Sequence, residues 1–208
     1  MAAVRHGDGL GEDLLDVLTR PVLEAAPRLL GATLTLGGVT LRLTEVEAYD
    51  GDSDPGSHAN RGRTERNKVM FGPAGHLYVY FTYGMHHCCN VSCGPQGTAS
   101  AILLRAGEVI DGLDTARSRR PASTDRDLAR GPGRLCKVMG IDRGDDGLDL
   151  SQALRLGPRI DEISTGPRVG LRLAADRPWR FWITGDHTVS RYVAAKPKSG
   201  ERTRPPRR

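Results

Sequence analysis

Two runs of alternating apolar and polar residues, 32–36 (ATLTL) and 39–49 (VTLRLTEVEAY), flank the pair Gly37 and Gly38. A period of two sends successive side chains to opposite faces, and a two-residue glycine turn supplies the positive φ angles that a tight hairpin needs. The chain is therefore committed to an antiparallel pair before any other segment is considered. If no bulge intervenes, Val39, Leu41, Leu43, Glu45, Glu47 and Tyr49 share one face, and an apolar row ends in two carboxylates and a phenol. Two environments suit such an acid. It can sit at the rim in water, as glutamates at strand ends commonly do, or in a partly dry cleft where a facing cation must keep it charged.

Further strands are predicted at 76–83 (HLYVYFTY), 88–93 (CCNVSC) and 99–106 (ASAILLRA), from the aromatic and β-branched residues that dominate the first and from Val91 and Ile102 in the others. Segment 20–31 (RPVLEAAPRLLG) carries helix punctuation, with Pro21 near its start, Gly31 past its end and Pro27 as an interruption. Helix-like spacing also marks 109–120 (VIDGLDTARSRR) and 133–141 (GRLCKVMGI), whereas 118–133 (SRRPASTDRDLARGPG) reads as a long polar connection. The mixture predicts an α+β single domain, an antiparallel-rich sheet flanked by helices. A chain of 208 residues is long enough to bury such a core without disulfides or metals.

Between the hairpin and the next strand lie 26 residues, 50–75, without helical or alternating periodicity. Loops this long in a compact domain are usually functional or disordered. This one holds His58 and the cations Arg61, Arg63, Arg66 and Lys68. In the strand that follows, Tyr78 and Tyr80 point to one face and Phe81 and Tyr83 to the other. Basic loops beside exposed aromatics fit nucleic acid, where phosphates need cations and unstacked bases need flat π surfaces. The plainer alternative is that tyrosines favour strands and the cations form a solvated face. The same two readings apply to Arg117, Arg119, Arg120, Arg126, Arg130 and Arg134.

The formal charge of +5 gives little guidance, because Lys196 to Arg208 carry six basic residues and one acid, which leaves zero for the remainder. Residues 1–11 and the basic tail 194–208 read as flexible ends around a domain at 12–193. Cys88, Cys89, Cys93 and Cys136 do not make a disulfide framework. No signal-like or membrane-spanning run is present, so a reducing cytoplasm is the expected compartment. His86, His87, Cys88 and Cys89 invite a metal reading, but adjacent strand residues face opposite ways and zinc-like paired spacing is lacking. No metal is expected.

Segments 45–51 (EVEAYDG), 57–67 (SHANRGRTERN), 70–92 (MFGPAGHLYVYFTYGMHHCCNVS), 101–113 (AILLRAGEVIDGL) and 131–141 (GPGRLCKVMGI) together resemble the alkyladenine (3-methyladenine) DNA glycosylase family, with weaker similarity through 180–190 (RFWITGDHTVS). The resemblance implies a curved sheet with a protruding hairpin, and a monomeric enzyme without cofactor. It would turn alkylated or deaminated purines out of duplex DNA and hydrolyse their bond to deoxyribose. Glu47 matches the general base and Arg105 the arginine beside the attacking water, with the Val189 carbonyl helping to hold that water. Tyr49, His58 and Tyr80 match the residues around the extruded base, and Asn90 the residue that restricts which purines fit. Tyr83, with Met85, matches the wedge entering the duplex. Arg61, Arg63, Arg66 and Lys68 are candidates for the DNA backbone. The chain departs from the family at 86–89, where bulkier apolar or aromatic residues are common.

Outside the tail only Lys68 and Lys137 could offer an amine for Schiff-base chemistry. Neither matches a catalytic position, so base removal without strand cleavage is expected. A non-catalytic binder of distorted nucleic acid would keep the tyrosines and cations without requiring Glu47. A hydrolase pairing Glu45 with Glu47 is less attractive, because residues two apart on a strand are not opposed across a substrate.

Overall fold

The computed structural model describes residues 12–82 and 84–195. The expected flexible N-terminus at 1–11, residues 196–208 of the expected tail, and Tyr83 lie outside them. Four helices, α1 (Leu14–Leu18), α2 (Val22–Arg28), α3 (Leu113–Arg119) and α4 (Pro132–Met139), accompany eight strands. These are β1 (Thr33–Leu36), β2 (Val39–Asp50), β3 (Leu77–Thr82), β4 (His86–Cys93), β5 (Ser100–Asp111), β6 (Leu154–Arg155), β7 (Ile163–Gly166) and β8 (Arg180–Ile183). They form one sheet in the order β3-β4-β5-β2-β1-β6, with β8 pairing β2 and β7 pairing β8. The described ladders are antiparallel, and the α+β single domain is present. No helix among the described residues is long and apolar enough to cross a membrane.

The Gly37–Gly38 turn closes β1 on β2 with both φ angles positive, +56° and +75°, as the hairpin pattern predicts. Helix α2 starts after Pro21 and keeps Pro27 in its last turn. There the missing donor is tolerated because the helix closes with tighter bonds, Leu29 N–H to the Ala26 carbonyl at 3.1 Å and Leu30 N–H to Pro27 at 3.2 Å. The segment 109–120 is corrected. Its first residues, to Asp111, finish β5, and only Leu113–Arg119 is helical. Gly112, at φ +73°, makes the break.

The expected single face of β2 is also corrected, because bulges intervene. Val39, Leu41 and Leu43 enter the main apolar core, but farther along the strand Val46 and Ala48 take over. Parity changes because Thr44 is an extra residue against β5, between the pairs Leu43–Gly107 and Glu45–Ala106. The next pair is Val46–Leu104, so Arg105 is extra in turn on β5. A one-residue slip moves every later side chain to the other face. Glu45, Glu47 and Tyr49 therefore lie opposite the core rather than continuing its row. At the same point the outer neighbour of β2 changes from β1, along Val39 to Arg42, to β8, along Glu45 to Glu47. Helices α2 and α4 cover the core face through Ala25, Ala26, Leu135, Cys136 and Val138, all buried.

The turn yields a test of close approach against backbone strain. A Cβ on Gly37 would meet the Met139 carbonyl oxygen at 2.2 Å, whereas one on Gly38 would enter open space. Gly38→Ala should cost about 1 kcal/mol through its left-handed backbone alone, and Gly37→Ala at least twice that. Equal midpoints in urea denaturation would contradict the assignment.

Candidate active site

The bulges bring two acids and two arginines into a dry cluster at the middle of β2. Glu45 is fully buried. Its Oε1 accepts from Arg105 Nε at 2.8 Å, Arg180 Nε at 2.7 Å and Ser190 Oγ at 2.9 Å, and its Oε2 from the Ser190 N–H at 2.6 Å. Burial alone would raise its pKa, but the two guanidinium charges and the Ser190 N–H overcome this and lower it. Burial likewise disfavours charge on Arg105, and the Glu47 and Glu45 carboxylates outweigh it, so the guanidinium is held charged.

Glu47, two residues along the same face, is fully buried as well. Its Oε1 accepts from the Val169 N–H at 2.7 Å and lies 3.3 Å from Arg105 Nη1, while Oε2 accepts from the Tyr49 hydroxyl at 2.9 Å. The phenol stays protonated, its pKa raised first by burial and then by the Glu47 charge. Of the two environments open to this acid in the sequence, the dry cleft with a facing cation is the one present.

Beyond Tyr49 opens a pocket lined by Tyr49, His58, Tyr78, Tyr80 and Asn90, with Gly56, Met70 and Leu171 closing its apolar sides. His58 Nδ1 lies 3.2 Å from the Tyr78 hydroxyl, and its ring meets that of Tyr80 edge-on at 4.5 Å. Burial, and secondarily the Arg66 charge, lower the His58 pKa, so the imidazole is neutral at pH 7. Asn90 is buried and donates to the Tyr78 carbonyl at 3.2 Å. Loop 51–75 is ordered around Asn67, which is also buried and whose side-chain amide bonds the His58 and Gly62 carbonyls and the Thr64 N–H.

On the other side of Glu47 a mainly basic groove is lined by Arg105, Arg126, Arg130, Arg134, Val169, Ser190 and Arg191, with Asp127 among them pairing with Arg130 at 3.2 Å. The remaining arginines of the 117–134 cluster serve the fold. Arg117 pairs with Asp125, Arg119 donates to the Val138 and Gly37 carbonyls, and Arg120 to those of Asp127 and Leu128. The segment 118–133 is the connection its polarity suggests, from α3 to α4, and it is anchored, with Leu128 and Ala129 buried. Arg130 also donates to the Val189 carbonyl at 2.8 Å.

Arg61, Arg63, Arg66 and Lys68 are all exposed. Lys68 pairs with Glu65 at 3.0 Å, and Arg66 lies 5.9 Å from the Tyr80 ring centre. Met85 is 69% exposed at the tip between β3 and β4, beside Phe81 at 50%. Behind that tip His86 is exposed and His87 packs on Phe81, while Cys88 and Cys89 are buried on opposite faces. All four thiols are free and buried. Burial pushes Cys88 up to about 12 and raises Cys93 further, and Cys136 is raised by its bond to Cys89 and by burial.

The sequence reading missed Val169, Arg180 and Ser190, which hold the two glutamates from outside their own strand, and the pair Asp54 and Arg168, whose guanidinium lies over the Tyr49 ring. A family model described as methylpurine-DNA glycosylase matches residues 16–187. A Streptomyces avermitilis protein provisionally named 3-methyladenine DNA glycosylase is 53% identical over 197 residues, 88% of this chain and 92% of its own. One of the same name from Nocardia farcinica is 57% identical over 181 residues, 81% and 85% of the two chains. A third, from Mycobacterium leprae, is 49% identical over 187 residues, 85% and 87% of the two chains. With the match running from α1 to the segment beyond β8, the chain belongs to the methylpurine-DNA glycosylase family.

Proposed function

We propose that this protein is a DNA repair glycosylase that receives an alkylated or deaminated purine, turned out of duplex DNA, and hydrolyses its N-glycosidic bond to leave an abasic site. The observation that carries the reading is the buried Glu47 carboxylate, facing Arg105 and bonded to a tyrosine that lines an aromatic pocket. Extrusion loses a few kcal/mol of stacking and pairing. Stacking on Tyr49, His58 and Tyr80 would offset part of it at roughly 1–3 kcal/mol for each aromatic contact. Met85, exposed between β3 and β4, would fill the gap left in the duplex together with Tyr83. The groove of Arg126, Arg130, Arg134 and Arg191 would take backbone phosphates, with Arg61, Arg63, Arg66 and Lys68 as a second set.

In the reaction, a water oxygen bonds to C1′ as the C1′–N bond breaks and its electron pair leaves with the purine. The water proton passes to Glu47 and then to solvent. The sugar passes through an oxocarbenium-like state, whose positive charge Glu47 stabilises. An alkylated purine is cationic and departs neutral, so the lesion itself favours the step. Arg105, its Nη1 3.3 Å from Glu47 Oε1, faces the carboxylate in this buried site.

Glu47→Gln should lower single-turnover base release by at least about 10²-fold while leaving affinity for a lesion duplex nearly intact, and turnover at the normal rate would refute the role of the acid. Among the described residues the lysines are Lys68, paired to Glu65, and Lys137, exposed on α4. Neither reaches Glu47, so borohydride should trap no covalent protein–DNA adduct, and a trapped adduct would disprove the monofunctional reading. The neutral His58 gives a pH signature. Falling pH protonates the imidazole, and the new cation repels a cationic base more than a neutral one. The preference of Glu47→Gln for an alkylated base over hypoxanthine, measured by binding, should therefore shrink as the pH falls below the ordinary imidazole range, and a ratio unchanged down to the acid limit of folding would remove His58 from contact with the base.

A further inference from the structure

Arg168 is the bulkiest fully buried side chain of the described chain and does not line the pocket. Its two terminal nitrogens bond both oxygens of Asp54, which is fully buried too, and Nη1 also donates to the Ala48 carbonyl at 2.9 Å. The guanidinium carbon lies 4.6 Å from the centre of the Tyr49 ring and 5.1 Å from that of Trp179, and Arg177 covers Trp179 in turn at 4.5 Å. Among the described residues Arg168 Nε has no hydrogen-bond partner.

As a device for stability this is poor. Two charges are taken out of water and one donor is left unpaired, where apolar side chains of similar volume would hold the same elements together. What apolar packing cannot supply is direction, and the contacts of Arg168 converge on the reactive groups. Ala48 lies between Glu47 and Tyr49 in β2. Asp54 lies in the loop that carries His58, and it also accepts from the Gly56 N–H at 3.0 Å. Val169, next in the chain, gives its N–H to Glu47. The fit is close on the remaining side, since a Cβ on Gly56 would meet Arg168 Nη2 and Leu171 Cδ1 at 2.9 Å each.

Resting on the glycosylase reading above, we propose that Arg168 is a positioning residue for base release. Held by Asp54 and Ala48, it sets the Tyr49 ring for the base and aims the Val169 N–H at the Glu47 carboxylate. A lysine cannot substitute, because a point charge neither grips a carboxylate with two parallel bonds nor stacks on a ring.

The test compares wild type, Arg168→Lys and Asp54→Asn in single turnover on duplexes carrying one hypoxanthine. Both variants should lose roughly 10-fold to 100-fold in the rate constant, while the reacting fraction and the affinity for the lesion duplex stay within about 3-fold of wild type. A purely structural pair would do the reverse, lowering the reacting fraction while the surviving molecules kept the wild-type rate, and that result overturns the proposal. So would wild-type kinetics in Arg168→Lys, or failure of both variants to fold. A wild-type protein that released no base from hypoxanthine or alkylated duplexes would instead bring down the glycosylase reading, and this inference with it.

Discussion

The Glu45 carboxylate gathers four donors from three separate parts of the chain, Arg105 on β5, Arg180 on β8 and both the N–H and hydroxyl of Ser190 beyond it. With Glu47 the buried set holds two negative and two positive groups, which is what allows it to exist without water. Removing one member would strand a charge, at a cost of about 3–5 kcal/mol. The interaction needs the paired bulges. Without the extra Thr44 both acids would face the apolar core, and without the extra Arg105 the guanidinium could not reach them. Thr44 itself is secured by a 2.8 Å hydroxyl contact with Thr188, so the bulge and the segment bearing Ser190 hold one another.

From that cluster the molecule divides by chemistry. Toward β3 and β4 lie flat rings and the Asn90 amide, suited to a base. Toward α4 and the residues after Ser190 lie guanidinium groups, suited to phosphate. Glu47 stands at the boundary, where the bond between base and sugar would come. This arrangement also accounts for a body whose formal charge sums to zero although it carries a basic groove. Charge is concentrated by position, with Arg126, Arg130 and Arg134 in the groove, Arg119 and Arg120 spent on carbonyls and Arg117 on Asp125.

Much of this was legible in one dimension. The hairpin follows from Gly37 and Gly38, the strands around Tyr80 and Asn90 from their β-branched and aromatic content, and the kinship of Glu47 with Tyr49 from a spacing of two that survives the bulge. The bulge was not legible, because Thr44 becomes an extra residue only against β5, some sixty positions away. Residues 109–111 have the spacing of a helix and are held in β5 by their partners on β2. Strands β6, β7 and β8 are two to four residues long, too short for any period to emerge. Arg168 and Asp54 stand more than a hundred positions apart in irregular segments, where no periodicity marks a side chain as buried.

The cysteines carry a last consequence. A thiol held near pKa 12, as Cys88 is, presents thiolate in only about one molecule in 10⁵ at neutral pH. Methylating agents attack thiolates in preference to thiols. A repair protein must work in the same chemical weather that damages its template, and this one keeps its four thiols buried, with those of Cys88, Cys93 and Cys136 held protonated, so exposure to methylating agents should mark the DNA well before it alkylates these thiols.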